Sequence, residues 1–244
     1  MLDPSDIAAL ERAIVASVAP ERTVEIEGWL VPLDAGDIGR ARSAVPLSHD
    51  ADPAALPDVE ALYAQAGLPP AFRVAETDGL SPVVQALRDR GYQPHTPTIM
   101  KLGASEGLRS LSEVRAEPFD TPDEAWIACF CGEGFDPATS ALRIANYRRV
   151  TDPLFAAVRE GSRTVAVGLG TFNDGWTGIH AMRTAPDRRG EGLAARVLAA
   201  IGQAALERGV SRAVLQVKED NPARSLYRKA GFEYAWRYRY WARN

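Results

Sequence analysis

The stretch "TAPDRRGEGLAARVLAAI", Thr184–Ile201, decides how this chain is read. It closes an alternating segment, Pro186 then denies the strand a further backbone donor, and Leu193, Val197, Ile201 and Ala205 recur every four residues. That pattern predicts an amphipathic helix opening at Gly190 to Gly192. The first turn of such a helix has amide N–H groups without intrahelical acceptors, and the aligned peptide dipoles add partial positive charge there. Two glycines remove the Cβ atoms that would keep an anion at a distance, and Arg188 and Arg189 stand beside them. The segment predicts a diphosphate cradle, against the plainer reading in which glycine only eases a tight turn. It is not a nucleoside-triphosphate loop, because Leu193-Ala194 replace the Lys-Ser/Thr pair, and no third glycine completes G-x-G-x-x-G.

Composition bounds what surrounds that loop. The 244 residues are 46% hydrophobic and 25% charged, enough for one large domain or two small ones. A net charge of -4 gives no general attraction to nucleic acid or anionic membrane, so an anionic ligand needs a local cluster. Cys129 and Cys131 form a lone C-x-C pair without the further ligands of a zinc site; both are expected reduced and buried, and no metal is expected. The first twenty or so residues interrupt their apolar positions with Asp and Glu too early for a secretory signal, and no run of about 18 apolar residues occurs. These features predict a cytoplasmic protein with no nucleic-acid or membrane partner.

Along the chain, residues 4–18 predict a helix with Ser5 and Asp6 as capping candidates. "RTVEIEGWLVPL" and "IGRARSAVPL" read as two strands joined at "DAGD", and helix, strand, helix and strand follow. The pattern resets at "GASEGLRS", residues 103–110, which reads as a linker before a new strand in "LSEVRAEPF". Helical segments are predicted at 121–132, 138–148 and 152–160, then a hairpin in which "SRTVAVGLGTF" turns through "NDG" into "WTGIHAMRTA". The bare face Ala166, Gly168 and Gly170 suits the close approach of a helix or a ligand. After the glycine-loop helix come the strand "AVLQV", a short helix "PARSLYRKA" stopped at Gly231, and an aromatic strand.

A shift of 140 positions lays Pro46, Pro82 and Gly91 under Pro186, Pro222 and Gly231, which reads as a duplication. Under Gly190, Gly192 and Tyr227 the first half has Asp50, Asp52 and Leu87, so the work of those three residues belongs to the second half. The expected fold is mixed α/β (α+β) with two lobes, residues 1–104 and 105–244. Each lobe is a central, mostly antiparallel mixed sheet flanked by helices, with splayed parallel strands in the second.

The second half resembles the GNAT superfamily of N-acetyltransferases. Its acetyl-CoA signature, Q/R-x-x-G-x-G/A, matches Arg189, Gly190, Glu191, Gly192, Leu193 and Ala194, and its second signature matches Asn221, Ala223, Leu226, Tyr227, Gly231 and Phe232. The resemblance covers residues 105–244 well, with the first half as a degenerate copy in a tandem arrangement. It implies acetyl-CoA as acyl donor, with the diphosphate on the amides from Gly190 to Ala195. The pantetheine arm would run along Met182, Arg183 and Thr184, in the gap between "HAMRT" and "AVLQV". Asn221, or Asp220 beside it, would hold an amide of that arm.

The resemblance also implies that Tyr227 is the general acid that protonates the departing thiolate, against a purely structural tyrosine buried for its ring. The family's glutamate base would fall near Gly178, where no carboxylate stands. His180, two residues on, is the first substitute, and Glu133, with Asp136, in "CGEGFD" the next; an amine that loses its proton through water needs no base. The expected activity is acetyl transfer to a primary amine of a small molecule, directly in a ternary complex. Protein N-termini or lysines as acceptors, and a non-catalytic acyl-CoA-binding module, are the alternatives. The acceptor's identity, the acyl chain and the oligomeric state, a homodimer included, stay open.

Overall fold

In the computed structural model, which describes residues 2–95, 97–132, 134 and 136–243, helix α1 (Pro4–Ala16) is capped by Asp3. Its carboxylate accepts from the Asp6 amide at 2.8 Å and from Ser5 Oγ at 2.7 Å, so neither expected capping residue is the cap. The next stretch also departs from expectation. "RTVEIEGWLVPL" is a complete hairpin, β1 (Arg22–Ile26) and β2 (Trp29–Leu33), because Glu27 and Gly28 take φ of 46° and 76° and close a two-residue turn. "IGRARSAVPL" contains one helical turn, α2 (Gly39–Arg42), before the short β3 (Val45–Pro46). Helix α3 (Leu56–Gln65), β4 (Ala71–Ala75), α4 (Ser81–Asp89), β5 (Gln93–Pro94) and β6 (Thr98–Ala104) follow.

The expected linker is folded. It holds helix α5 (Ser105–Arg109), whose Ser105 amide donates to Ser211 O at 2.8 Å and whose Leu108 is fully buried. Strand β7 (Glu117–Phe119) and helices α6 (Glu124–Phe130) and α7 (Pro137–Arg149) come next. The third expected helix, at 152–160, is instead strand β8 (Leu154–Glu160). Its run "LFAAV" is buried at every position, between β7 and a longer strand with side chains packed on both faces. Such a run carries no alternation to separate strand from helix.

The hairpin β9 (Arg163–Asn173) and β10 (Trp176–Thr184) forms as expected, turning at Asp174 and Gly175 with φ of 48° and 75°. Helix α8 (Leu193–Glu207), β11 (Arg212–Lys218), α9 (Arg224–Lys229) and β12 (Glu233–Ala242) complete the chain. A Cβ on Gly168 would stand 2.5 Å from Val197 Cγ1, and one on Gly170 2.8 Å from Ile201 Cγ2. The bare face of β9 therefore serves the approach of α8. The other face of β8 and β9 meets Trp126, Phe130 and Tyr147 from α6 and α7.

The strands form one nine-stranded mixed sheet in the order β7-β8-β9-β10-β11-β6-β12-β4, with β5 also on β12, and a three-stranded sheet β1-β2-β3. Within the large sheet β10 and β11 run parallel and the other neighbours antiparallel. Strand β6, before the expected boundary at 104, lies between β11 and β12, so one sheet crosses both halves. Asp52 and Gly192, 140 residues apart, are both N-caps, Asp52 of a 3-10 turn (Pro53–Ala55) that runs into α3 and Gly192 of α8. The offset slips at the parallel strands: Ala44 bridges Phe72, 28 residues on, whereas Trp176 faces Arg212, 36 residues on.

Candidate active site

Strands β10 and β11 pair from Trp176 opposite Arg212 to Ile179 opposite Leu215, and then separate. The separation has a local cause. Between His180 and Arg183 the register of β10 on β9 shifts at a bulge, and Ala181 takes φ of 50°. A bulge bends the strand and increases its twist, so Arg183 and Thr184 stay paired with β9 while the other edge of Met182 to Thr184 leaves β11. The gap opens into a cavity of about 250 Å³ lined by Met182, Gln216, Asn221 and Tyr227, and by Arg40, Tyr238 and Tyr240. Arg40 comes from α2 in the first half, and the last two tyrosines from β12, the strand both halves share.

Beyond the free edge lies the glycine loop. Gly190 and Gly192 have φ of 85° and 77°, conformations that side chains disfavour, and a Cβ on either would meet no atom within 4 Å. The space beside both is open. Gly192 is the N-cap of α8 with no side chain closing it. The Ala195 and Arg196 amides bond to Gly192 O at 3.0 and 3.3 Å, so Ala195 is less available than expected, while Leu193 and Ala194 precede any intrahelical acceptor. Arg188 is not the expected anion partner: its guanidinium is held by the Glu160 and Glu191 carboxylates, the latter at 2.7 Å. Arg189 is exposed, with no partner among the described residues.

An anionic diphosphate followed by an extended arm fits these residues: main-chain donors at a bare helix end, then an unpaired strand edge leading to the cavity. The first half lacks the equivalent. There Asp52 turns its own carboxylate onto the Ala54 amide at 2.8 Å, and the His49 ring stands edge-on to Trp236 with centroids 4.7 Å apart. A carboxylate at that helix start takes the place of a phosphate and repels one.

Tyr227 lies in α9, its ring edge-on to Phe232 at 6.3 Å between centroids. Only 8% of the residue is exposed, yet it lines the cavity, and its hydroxyl has no hydrogen-bond partner among the described residues. Burial pushes the phenol up to about 12. The Asn221 carboxamide oxygen is spent locally, accepting from the Ala223 amide at 2.9 Å, which leaves its NH₂ group for a ligand.

His180 is buried, and both of its nitrogens are engaged. Nδ1 lies 2.9 Å from Arg40 Nη1, and Nε2 lies 3.4 Å from Thr171 Oγ1. A guanidinium can only donate, so Nδ1 accepts and the proton resides on Nε2. Burial first, and the neighbouring Arg40 charge second, hold the imidazole well below the usual histidine range. No lone pair of this ring is left to take a proton from an acceptor amine. Asp136 caps α7 by accepting from the Thr139 amide at 2.8 Å; Glu133 lies outside the described residues.

Sequence reading did not find Arg40, Gln216, Tyr238 or Tyr240 as cavity residues. Each reaches the gap through strand pairing or packing between distant segments. Cys129 and Cys131 are free and half-buried rather than fully buried, and no helix of the described residues is long and apolar enough to cross a membrane.

Comparison with known proteins identifies the family. Residues 4–241 match the model of the family described as "Probable histone acetyltransferase Rv0428c C-terminal". A Bacillus subtilis protein described as "Uncharacterized N-acetyltransferase YobR" is 26% identical over 93% of this chain and 94% of its own length. The "Probable histone acetyltransferase Rv0428c" of Mycobacterium tuberculosis is 29% identical over 93% of this chain and 70% of its own length. Among solved structures, a GCN5-related N-acetyltransferase from Kribbella flavida superposes with a TM-score of 0.68 at 20% identity, over 97% of this chain and 95% of that one. The chain belongs to the Rv0428c C-terminal family and is a GNAT-type N-acetyltransferase, an acyltransferase.

Proposed function

We propose that the chain transfers the acetyl group of acetyl-CoA directly to the primary amine of a small molecule, with donor and acceptor bound together. The observation that carries the small acceptor is the cavity at the splayed strands. Its volume of about 250 Å³ is below the roughly 300–1,000 Å³ of pockets for drug-sized ligands, and Arg40 of the first half forms part of its wall. When bound, acetyl-CoA supplies the activated acetyl thioester. The chain's own residues do the rest. The Gly190, Gly192, Leu193 and Ala194 amides hold the diphosphate, the free edge at Met182 to Thr184 aligns the arm, and the Asn221 NH₂ group donates to one of its carbonyls.

In this reading Tyr227 keeps its proton on Oη throughout the physiological range and gives it to the departing sulfur. His180 acts as a positioning residue for Arg40. The proton of the incoming ammonium leaves through water, without a side-chain base among the described residues.

A protein acceptor is the second reading, favoured by the family's description and by the name of the mycobacterial relative. Thiol release from acetyl-CoA, measured with a panel of small amines and with histone-tail peptides, separates the two. The proposal expects turnover on small amines. Turnover confined to peptides would replace it with the second reading, and tight CoA binding with no turnover on either would make the chain a binding module.

A further inference from the structure

We propose that the acceptor amine also carries a carboxylate, and that Arg40 receives it at the seam between the two halves. This rests on reading the chain as a small-amine acetyltransferase and narrows its substrate class. Arg40 is half-buried on the wall of the cavity that Tyr227 also lines. A guanidinium has five N–H donors and a fixed positive charge. Among the described residues it makes one hydrogen bond, to His180 Nδ1 at 2.9 Å, and that ring is neutral.

The charges at the seam do not cancel. Asp37 is taken by Arg143 at 3.1 Å, and Glu11 by Arg73 at 2.7 Å. Arg40 has no carboxylate partner among the described residues. A half-buried cation without a counter-ion gives up part of its hydration, a cost that an anion arriving with the substrate offsets.

The surroundings favour a carboxylate in particular. The His180 bond fixes the guanidinium from one side without neutralising it, and Tyr238, 2% exposed, stands beside Tyr240 with ring centroids 5.6 Å apart on the same cavity wall. The planar fork of arginine matches the two oxygens of a carboxylate. Arg40 and Tyr227 line the same cavity of about 250 Å³, so one small molecule can meet both. Amine and carboxylate therefore sit in one small molecule, an amino acid or a homologue of one, with the amine toward Tyr227 and the acid toward Arg40.

The test compares matched acceptors by thiol release: ω-amino acids of increasing chain length, their carboxamides, the corresponding alkylamines, and aminoalkyl phosphates. Wild-type protein should prefer the best carboxylate over its carboxamide by about 10- to 100-fold in kcat/KM, mainly through KM, as expected for a charge-assisted pair. Arg40→Met should abolish that ratio, and Arg40→Lys should retain part of it. Equal use of carboxylate and carboxamide, an unchanged ratio in Arg40→Met, or preference for the phosphates would overturn the proposal. CoA-induced thermal stabilisation of each variant reports whether it has folded; if Arg40→Met has not, the wild-type and Arg40→Lys ratios decide.

If wild-type protein acetylates no amine, the small-amine reading fails separately. Calorimetric titration of the same amino acids and carboxamides into CoA-saturated wild-type and Arg40→Lys protein then tests Arg40 alone. Binding that needs the carboxylate and weakens in the variant supports its role, and its absence refutes it.

Discussion

Replacing Gly192 with alanine separates the fold's use of this residue from the ligand's. With φ of 77° and ψ of 5° at the N-cap of α8, and no atom within 4 Å of where a Cβ would stand, the new methyl meets no steric conflict in the free protein. The cost there is the left-handed backbone, about 1–2 kcal/mol for an L-residue. For a chain of this length that corresponds to a fall in Tm of about 2–8 °C. The ligand's cost is separate, because the methyl fills space assigned to the diphosphate. Losing one charge-assisted hydrogen bond, worth about 1.5–3 kcal/mol, raises Kd for CoA about 10- to 150-fold. Gly67→Ala is the matched control: an exposed glycine with φ of 68°, equally open space and no place in the site. Differential scanning fluorimetry and calorimetric titration of CoA should show similar Tm losses for both variants, and loss of affinity for Gly192→Ala alone. Equal CoA affinity in the two would refute the cradle.

Three further outcomes are expected. Glu11→Gln strands the Arg73 guanidinium, whose ion pair is 1% and 4% exposed on its two sides, and should cost about 3–5 kcal/mol in urea denaturation; recovery of most of that loss in Glu11→Leu/Arg73→Met would confirm the cause. Asp52→Ala removes the cap on the Ala54 amide, so it should lower stability by about 0.5–2 kcal/mol while CoA affinity holds, and a changed affinity would show that the first half takes part in donor binding. Burial raises the phenols of Tyr63, Tyr92, Tyr147 and Tyr238, and lifts Tyr227 to about 12. A folded-state value above the unfolded one means that the stability these groups contribute is whole below about pH 10 and is lost as pH rises through their folded values, about 12 for Tyr227. By pH 11 the 295 nm absorbance of native protein should have risen by less than half of its rise on unfolding, and a full rise before unfolding would contradict that burial.

The parts of the site that were legible are those written in consecutive residues. Proline, arginine and paired glycines before a four-residue apolar repeat fixed the α8 entrance, and "NDG" between alternating runs fixed the β9–β10 turn. The misreadings have physical causes too. "LFAAV" in β8 is buried on both faces, so strand and helix leave the same mark, and Glu27-Gly28 supplied a hairpin turn that the stronger "DAGD" signal obscured. The bulge at Ala181, which opens the gap, follows from no single residue type. Arg40, Tyr238 and Tyr240 reach the cavity because one sheet crosses both halves, and β6 sits between β11 and β12 through a tertiary choice that local pattern does not carry. His180 was visible as a histidine on the right strand, but the arginine that occupies its lone pair comes from 140 residues away.

The most direct measurement is the turnover of Tyr227→Phe with saturating acetyl-CoA and the best small amine, alongside its Kd for CoA. A buried hydroxyl that serves as general acid predicts a fall in kcat of about 100-fold or more with CoA affinity unchanged, because the ring and its contact with Phe232 remain. Unchanged kcat in the presence of intact CoA binding would contradict proton donation by Tyr227 and leave the chemistry without its assigned acid.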